Sequence, residues 1–185
     1  MQPVEFFGFA SDCTISGKVT MFGERLTDFL NGQERFRVHH VECESLEDGH
    51  RAAVDSISVE RTDLLAVIAT GPRGSQKQRV TLDTSRLQVS IGPYLILGRL
   101  HTKPGIDAVA SVLKREPMIP FTNATIAYEV AGSIVARDIS TIIVNRLLVD
   151  WISPTTETAS LFPDVPARSQ FAAGLHREYG RPSTT

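Results

Sequence analysis

Ile96-Leu97-Gly98-Arg99-Leu100 repeats, 81 residues on, the pattern of Ile15-Ser16-Gly17-Lys18-Val19, a short strand-like run with a glycine at its centre. The match continues outward from this pair at an offset that grows from 81 to 85. Leu26, Phe29 and Leu30, at the i, i+3, i+4 spacing of a helix, fall on Val109, Val112 and Leu113. Phe36-Arg37-Val38 falls on Ile119-Pro120-Phe121, and Val59-Glu60-Arg61 on Val144-Asn145-Arg146. The shared positions are apolar or glycine, whereas Asp28 meets Ser111 and Asn31 meets Lys114. A repeat of this kind conserves packing and carries no common catalytic constellation.

Each copy reads as a β-α-β-β-β unit. Alternating apolar residues predict strands at 14–22, 35–45, 53–61 and 64–70, and Asn31-Gly32 stops the intervening helix. Units of about 55 residues bury too little surface to be robust alone, so mutual packing is expected. Small bent barrels close such units economically, and a glycine inside a strand marks the sharp bend that a barrel needs. The predicted fold is therefore α+β and mainly β: two tandem small β-barrels, each with one short helix after its first strand. The first spans 13–70 and the second 94–152, with a connecting hairpin at 71–93 and a flexible tail at 153–185. That tail holds four of the ten prolines, and Phe171, Leu175 and Tyr179 form an apolar stripe within it.

The 185 residues carry 19 Lys plus Arg against 21 Asp plus Glu, and this near balance gives no general attraction to nucleic acid or an anionic membrane. The distribution is less even. Residues 24–63 hold ten acidic and five basic side chains, and residues 64–118 hold eight basic and three acidic. One reading is complementarity between halves or between subunits. The other is a basic surface for RNA or a nucleotide, built from Arg73, Lys77, Arg79, Lys103, Lys114 and Arg115. Tyr94 is the only aromatic residue from 64 to 118, which disfavours base stacking.

Other chemistry is thinly represented. His39 and His40 are neighbours in a predicted strand and leave it on opposite faces, so they do not share a metal without a bulge. His50, His101 and His176 lie apart from any ligand spacing, and no nucleophile elbow occurs. Gly71-Pro72-Arg73-Gly74-Ser75-Gln76-Lys77 lacks the spacing of a phosphate loop and leads into a predicted strand. Cys13 and Cys43, the only cysteines, fit a reduced cytoplasmic setting and lie on strands expected to pair. No signal peptide or membrane span is expected, since the longest apolar run, 64–69, is far short of the roughly 20 residues a bilayer requires. No catalytic residue, metal or cofactor is expected, and the leading expectation is a non-enzymatic interaction or scaffold protein that forms homo-oligomers through barrel strands.

The closing run Asp138-Ile139-Ser140-Thr141-Ile142-Ile143-Val144-Asn145-Arg146-Leu147-Leu148-Val149-Asp150-Trp151-Ile152 resembles the second signature of Sm-like proteins, the family that includes bacterial Hfq. An apolar strand there meets a short polar turn and a second apolar strand. The two glycine-centred runs are similar to the opening strand of the same barrel. The resemblance implies a small barrel and ring-like oligomers. In Sm-like proteins an Asp and an Asn soon after the first strand help bind RNA. Here Asp28 and Asn31 fall on the inserted helix and the second unit has Ser111 and Lys114, while Arg146 is followed by Leu147 in place of the usual glycine.

Overall fold

The computed structural model describes residues 2–71 and 82–155. In chain order the first half contains β1 (Gln2–Phe9), β2 (Cys13–Met21), α1 (Leu26–Gly32), β3 (Arg35–Ser45), β4 (Arg51–Glu60) and β5 (Ala66–Ile68). The second contains β6 (Asp83–Ile91), β7 (Tyr94–Thr102), α2 (Ala108–Leu113), β8 (Met118–Val130), β9 (Ser133–Asn145) and β10 (Trp151–Pro154). All ten strands form one antiparallel sheet in the order β10-β6-β7-β8-β9-β5-β1-β2-β3-β4. The protein is thus mainly β, and its two terminal strands, β10 and β4, do not pair with each other.

The duplication is written in the hydrogen bonds. Each half has its fifth strand beside its first and then runs in sequence to its fourth. The Leu65 N–H donates to the Phe9 carbonyl at 2.9 Å, and the Asp150 N–H donates to the Ser90 carbonyl at the same distance. The Arg61 N–H reaches the Glu34 carbonyl, and the Arg146 N–H reaches the Pro117 carbonyl, both at 2.8 Å. Register shifts fall between Ser16 and Lys18 in one half and between Leu97 and Arg99 in the other. Opposite each shift stands a residue with positive φ, His40 at 51° and Asn123 at 46°, the signature of a bulge that bends the strand pair. The glycines are needed at these bends. A Cβ on Gly17 would lie 2.8 Å from the His39 carbonyl oxygen, and one on Gly98 would lie 2.9 Å from the Phe121 Cβ.

Two apolar cores result, one per half, and each borrows from the other. The first-half core includes Leu26, Leu30, Phe36 and Val38 and takes in Met118 and Ile143; the second-half core takes in Phe9, Leu65 and Ala66. The seam is the short ladder Ala66↔Val144, Val67↔Ile143 and Ile68↔Ile142. Two asparagines clamp it. The Asn31 amide donates to the Met118 carbonyl at 3.0 Å and accepts from the Met118 N–H at 2.9 Å. The buried Asn145 amide donates at 3.1 Å to both the Arg61 and Leu64 carbonyls and accepts from the Leu147 N–H at 3.2 Å. Arg61 closes the network by donating to the Asn31 carbonyl at 3.0 Å, which satisfies the end of α1.

Some elements differ from the sequence expectation. The strand Gln2–Phe9 was not anticipated, and it opens the first unit ahead of residue 13. The expected hairpin at 71–93 has its Leu87–Ile91 strand inside β6, which pairs with β7 as the counterpart of β1 with β2. Ser153 and Pro154, expected in the tail, belong to β10. The apolar stripe at Phe171, Leu175 and Tyr179 lies outside the described residues.

Candidate assembly edges and the cysteine cleft

β4 and β10 end the sheet, and each offers one side of its backbone to no strand of the described residues. Unpaired edges of this kind recruit further strands unless they are blunted. Trp151 on β10, Leu147 just before it, Leu113 on α2 and Val54 on β4 are exposed, as are Phe22, Leu82, Ile106 and Ile134 elsewhere among the described residues. The repeat gives these exposures meaning. Leu30 and its counterpart Leu113 are 0% and 71% exposed, and Ala66 and its counterpart Trp151 are 0% and 45% exposed. Leu30 and Ala66 are covered in clusters that reach across the seam, whereas no second seam covers Leu113 and Trp151.

A cleft of about 650 Å³ opens where the Cys13–Ser45 end of the first unit meets Pro93, Glu129 and Gly132 of the second, with Asp12, Cys13 and Cys43 among its lining residues. Its place in the repeat is informative. Cys13 and Ser45, paired across β2 and β3, correspond to Tyr94 and Tyr128 of the second unit. There the two rings lie 5.4 Å apart and Phe9 packs edge-on against both, at 5.2 and 5.7 Å. The Tyr94 hydroxyl also donates to the Ala10 carbonyl at 2.7 Å. Where one unit has a filled aromatic seat, the other has the smaller Cys13 and Ser45 at the wall of an open cleft.

The thiols in the cleft are poor nucleophiles. Burial, with the Asp12 carboxylate beside it, pushes Cys13 from the ordinary 9.0 up to about 11, and the same causes raise Cys43. Because the thiolate is the reactive form, alkylation of Cys13 is expected to keep accelerating from pH 9 to about pH 11. Peptide mapping after timed labelling checks this, and a plateau reached near pH 9 would contradict it.

Of the residues expected to form a basic site, Arg73, Lys77 and Arg79 lie outside the described residues. Lys114 and Arg115 come together with Arg25 at a groove of about 410 Å³ between α1 and the start of β8, and Lys103 is not in its lining. Two of the three cations there are engaged. Arg25 makes a paired contact with Asp28 at 2.8 and 2.9 Å, and Arg115 donates to the Ser111 hydroxyl and the His101 carbonyl. His39 and His40 stand exposed at the bulge, and among the described residues no group of three or more His, Cys, Asp or Glu is placed to hold a metal ion. No helix among the described residues is long and apolar enough to cross a membrane.

The two asparagine clamps, the unmatched Trp151 and the cleft were not singled out from sequence. The available signal was the break in the repeat itself, where Asn145 meets Glu60 and Asn31 meets Lys114. Comparison with protein-family models, with curated proteins and with solved structures finds no match.

Proposed function

We propose that the protein is a non-enzymatic interaction module that assembles with copies of itself through the open edges of its sheet. The observation that carries this reading is the pairing of β5 with β9, which joins two copies of the same unit edge to edge and leaves the equivalent edges, on β10 and β4, unpaired among the described residues. An edge seam between like units is therefore a contact this fold already makes once. The finer reading takes each unit as a small Sm-like or SH3-like barrel whose strands serve both its own core and its neighbour's.

RNA or nucleotide binding through Arg73, Lys77, Arg79, Lys103, Lys114 and Arg115 is the second reading, supported by the groove in which Lys114 and Arg115 meet Arg25 beside Asp28 and Glu116. It has less behind it. Arg25 and Arg115 are committed within the chain, and no aromatic side chain is among the groove's described lining residues.

Size-exclusion chromatography with light scattering, on protein purified without nuclease and read at 260 and 280 nm, tests both. Self-assembly predicts a mass above one chain of 20.3 kDa that falls on dilution, with a protein spectrum. A monomer throughout the micromolar range overturns it. A raised 260 nm signal that is lost at high salt favours the second reading.

A further inference from the structure

We infer that Trp151 and β10 of one chain dock head to tail on β4 of a second copy, with the Trp151 side chain turned into that copy's Cys13–Cys43 cleft. The inference rests on the self-assembly reading and names its surface, its register and its anchor.

The internal seam supplies the register. Ala66, Val67 and Ile68 correspond to Trp151, Ile152 and Ser153, and Val144, Ile143 and Ile142 correspond to Val59, Ser58 and Ile57. Repeating the seam between chains sets Trp151 opposite Val59, Ile152 opposite Ser58 and Ser153 opposite Ile57. The two edges are different surfaces, so the contact is heterologous and leaves each chain with a donor edge and an acceptor edge.

The anchor follows from a swap of size. At the internal seam Phe9 and Ala66 are cross-strand partners, and both belong to the second unit's core. At the free end the same pair is Ser90 and Trp151. The bulky member has moved from the first strand to the fifth. On the receiving side the tyrosine pair has become Cys13 and Ser45, which opens the seat where the larger ring is delivered. A large exposed aromatic residue and an open cleft thus occupy complementary positions of one repeated contact, the arrangement expected of a binding hot spot.

The seam between chains is weaker than the seam within one. Glu60 stands where Asn145 donates two hydrogen bonds, and a carboxylate has no N–H to give; Lys114, which cannot accept, stands where Asn31 does both. Phe9 and Leu65 are replaced by Ser90 and Asp150. The expected contact is accordingly reversible and concentration dependent.

The full chain carries its own reporters, since Trp151 is its only tryptophan and Cys13 and Cys43 its only cysteines. The experiment follows mass by light scattering, tryptophan emission and alkylation of each cysteine across a dilution series. Association is expected to shift the emission to shorter wavelength and slow labelling of both cysteines over the same concentration range. Trp151→Ala, at an exposed site, is expected to leave the fold intact by circular dichroism and weaken association by roughly 30-fold or more. It also removes the thiol protection. Absence of any association overturns the self-assembly reading and this inference together. Association with unchanged emission and labelling, or association that survives Trp151→Ala, overturns the inference alone and points to another surface.

Discussion

Asn145→Ala is expected to destabilise the protein by about 3 kcal/mol, out of proportion to the few atoms removed. The side chain is buried and makes three hydrogen bonds, two of them to the carbonyls of Arg61 and Leu64, 84 and 81 residues away. Truncation removes the side-chain donor from both carbonyls, leaving that of Arg61 with only the Leu64 N–H at 3.2 Å, and the desolvation suffered on folding is less well compensated. Asn145→Asp is expected to behave nearly as badly, because a carboxylate still accepts from the Leu147 N–H yet donates nothing to the two carbonyls. Urea unfolding checks both variants, with a lower midpoint at unchanged slope as the expected result. A change below about 0.5 kcal/mol, the level of an ordinary surface substitution, would contradict the clamp.

Leu30→Ala and Leu113→Ala change the same residue at the same place in the repeat, and their effects are expected to differ severalfold. Leu30 is fully buried in a cluster that includes Met118 and Ile143 from across the seam, so its truncation should cost about 2–5 kcal/mol. Leu113 stands exposed on α2, and at concentrations where the chain is monomeric its truncation should fall within about 0.5 kcal/mol. Thermal or urea unfolding of the two variants side by side measures the difference. Equal losses would mean that burial across the seam does not set the stability of α1.

The repeat was legible because packing writes itself into sequence. Gly17 and Gly98 sit where a Cβ would strike the neighbouring strand, and the apolar positions of both helices and of β3, β4, β8 and β9 recur around them. β1 was hidden for a physical reason. Phe6 enters the first-half core while Phe7 and Phe9 pack on the second, so the Phe6–Phe9 end of the strand faces apolar surroundings on both sides and shows no alternation. The edges, the clamps and the cleft were invisible for another. Each depends on which strand ends beside which, and a side chain such as Asn145 finds its partners only after segments more than 80 residues apart have come together. Among the described basic residues, counting found the charge and could not foresee that Arg115 is spent on the His101 carbonyl.

Joining the two units on one chain also restricts the arithmetic of any larger body built from this seam. Units enter two at a time, so a closed arrangement contains an even number of them, and its rotational symmetry has half as many steps as it has units. Positions around it alternate between a clamp of amides and a contact anchored by an indole. The alternation fixes where such a body opens, because every break falls between chains and none falls within one.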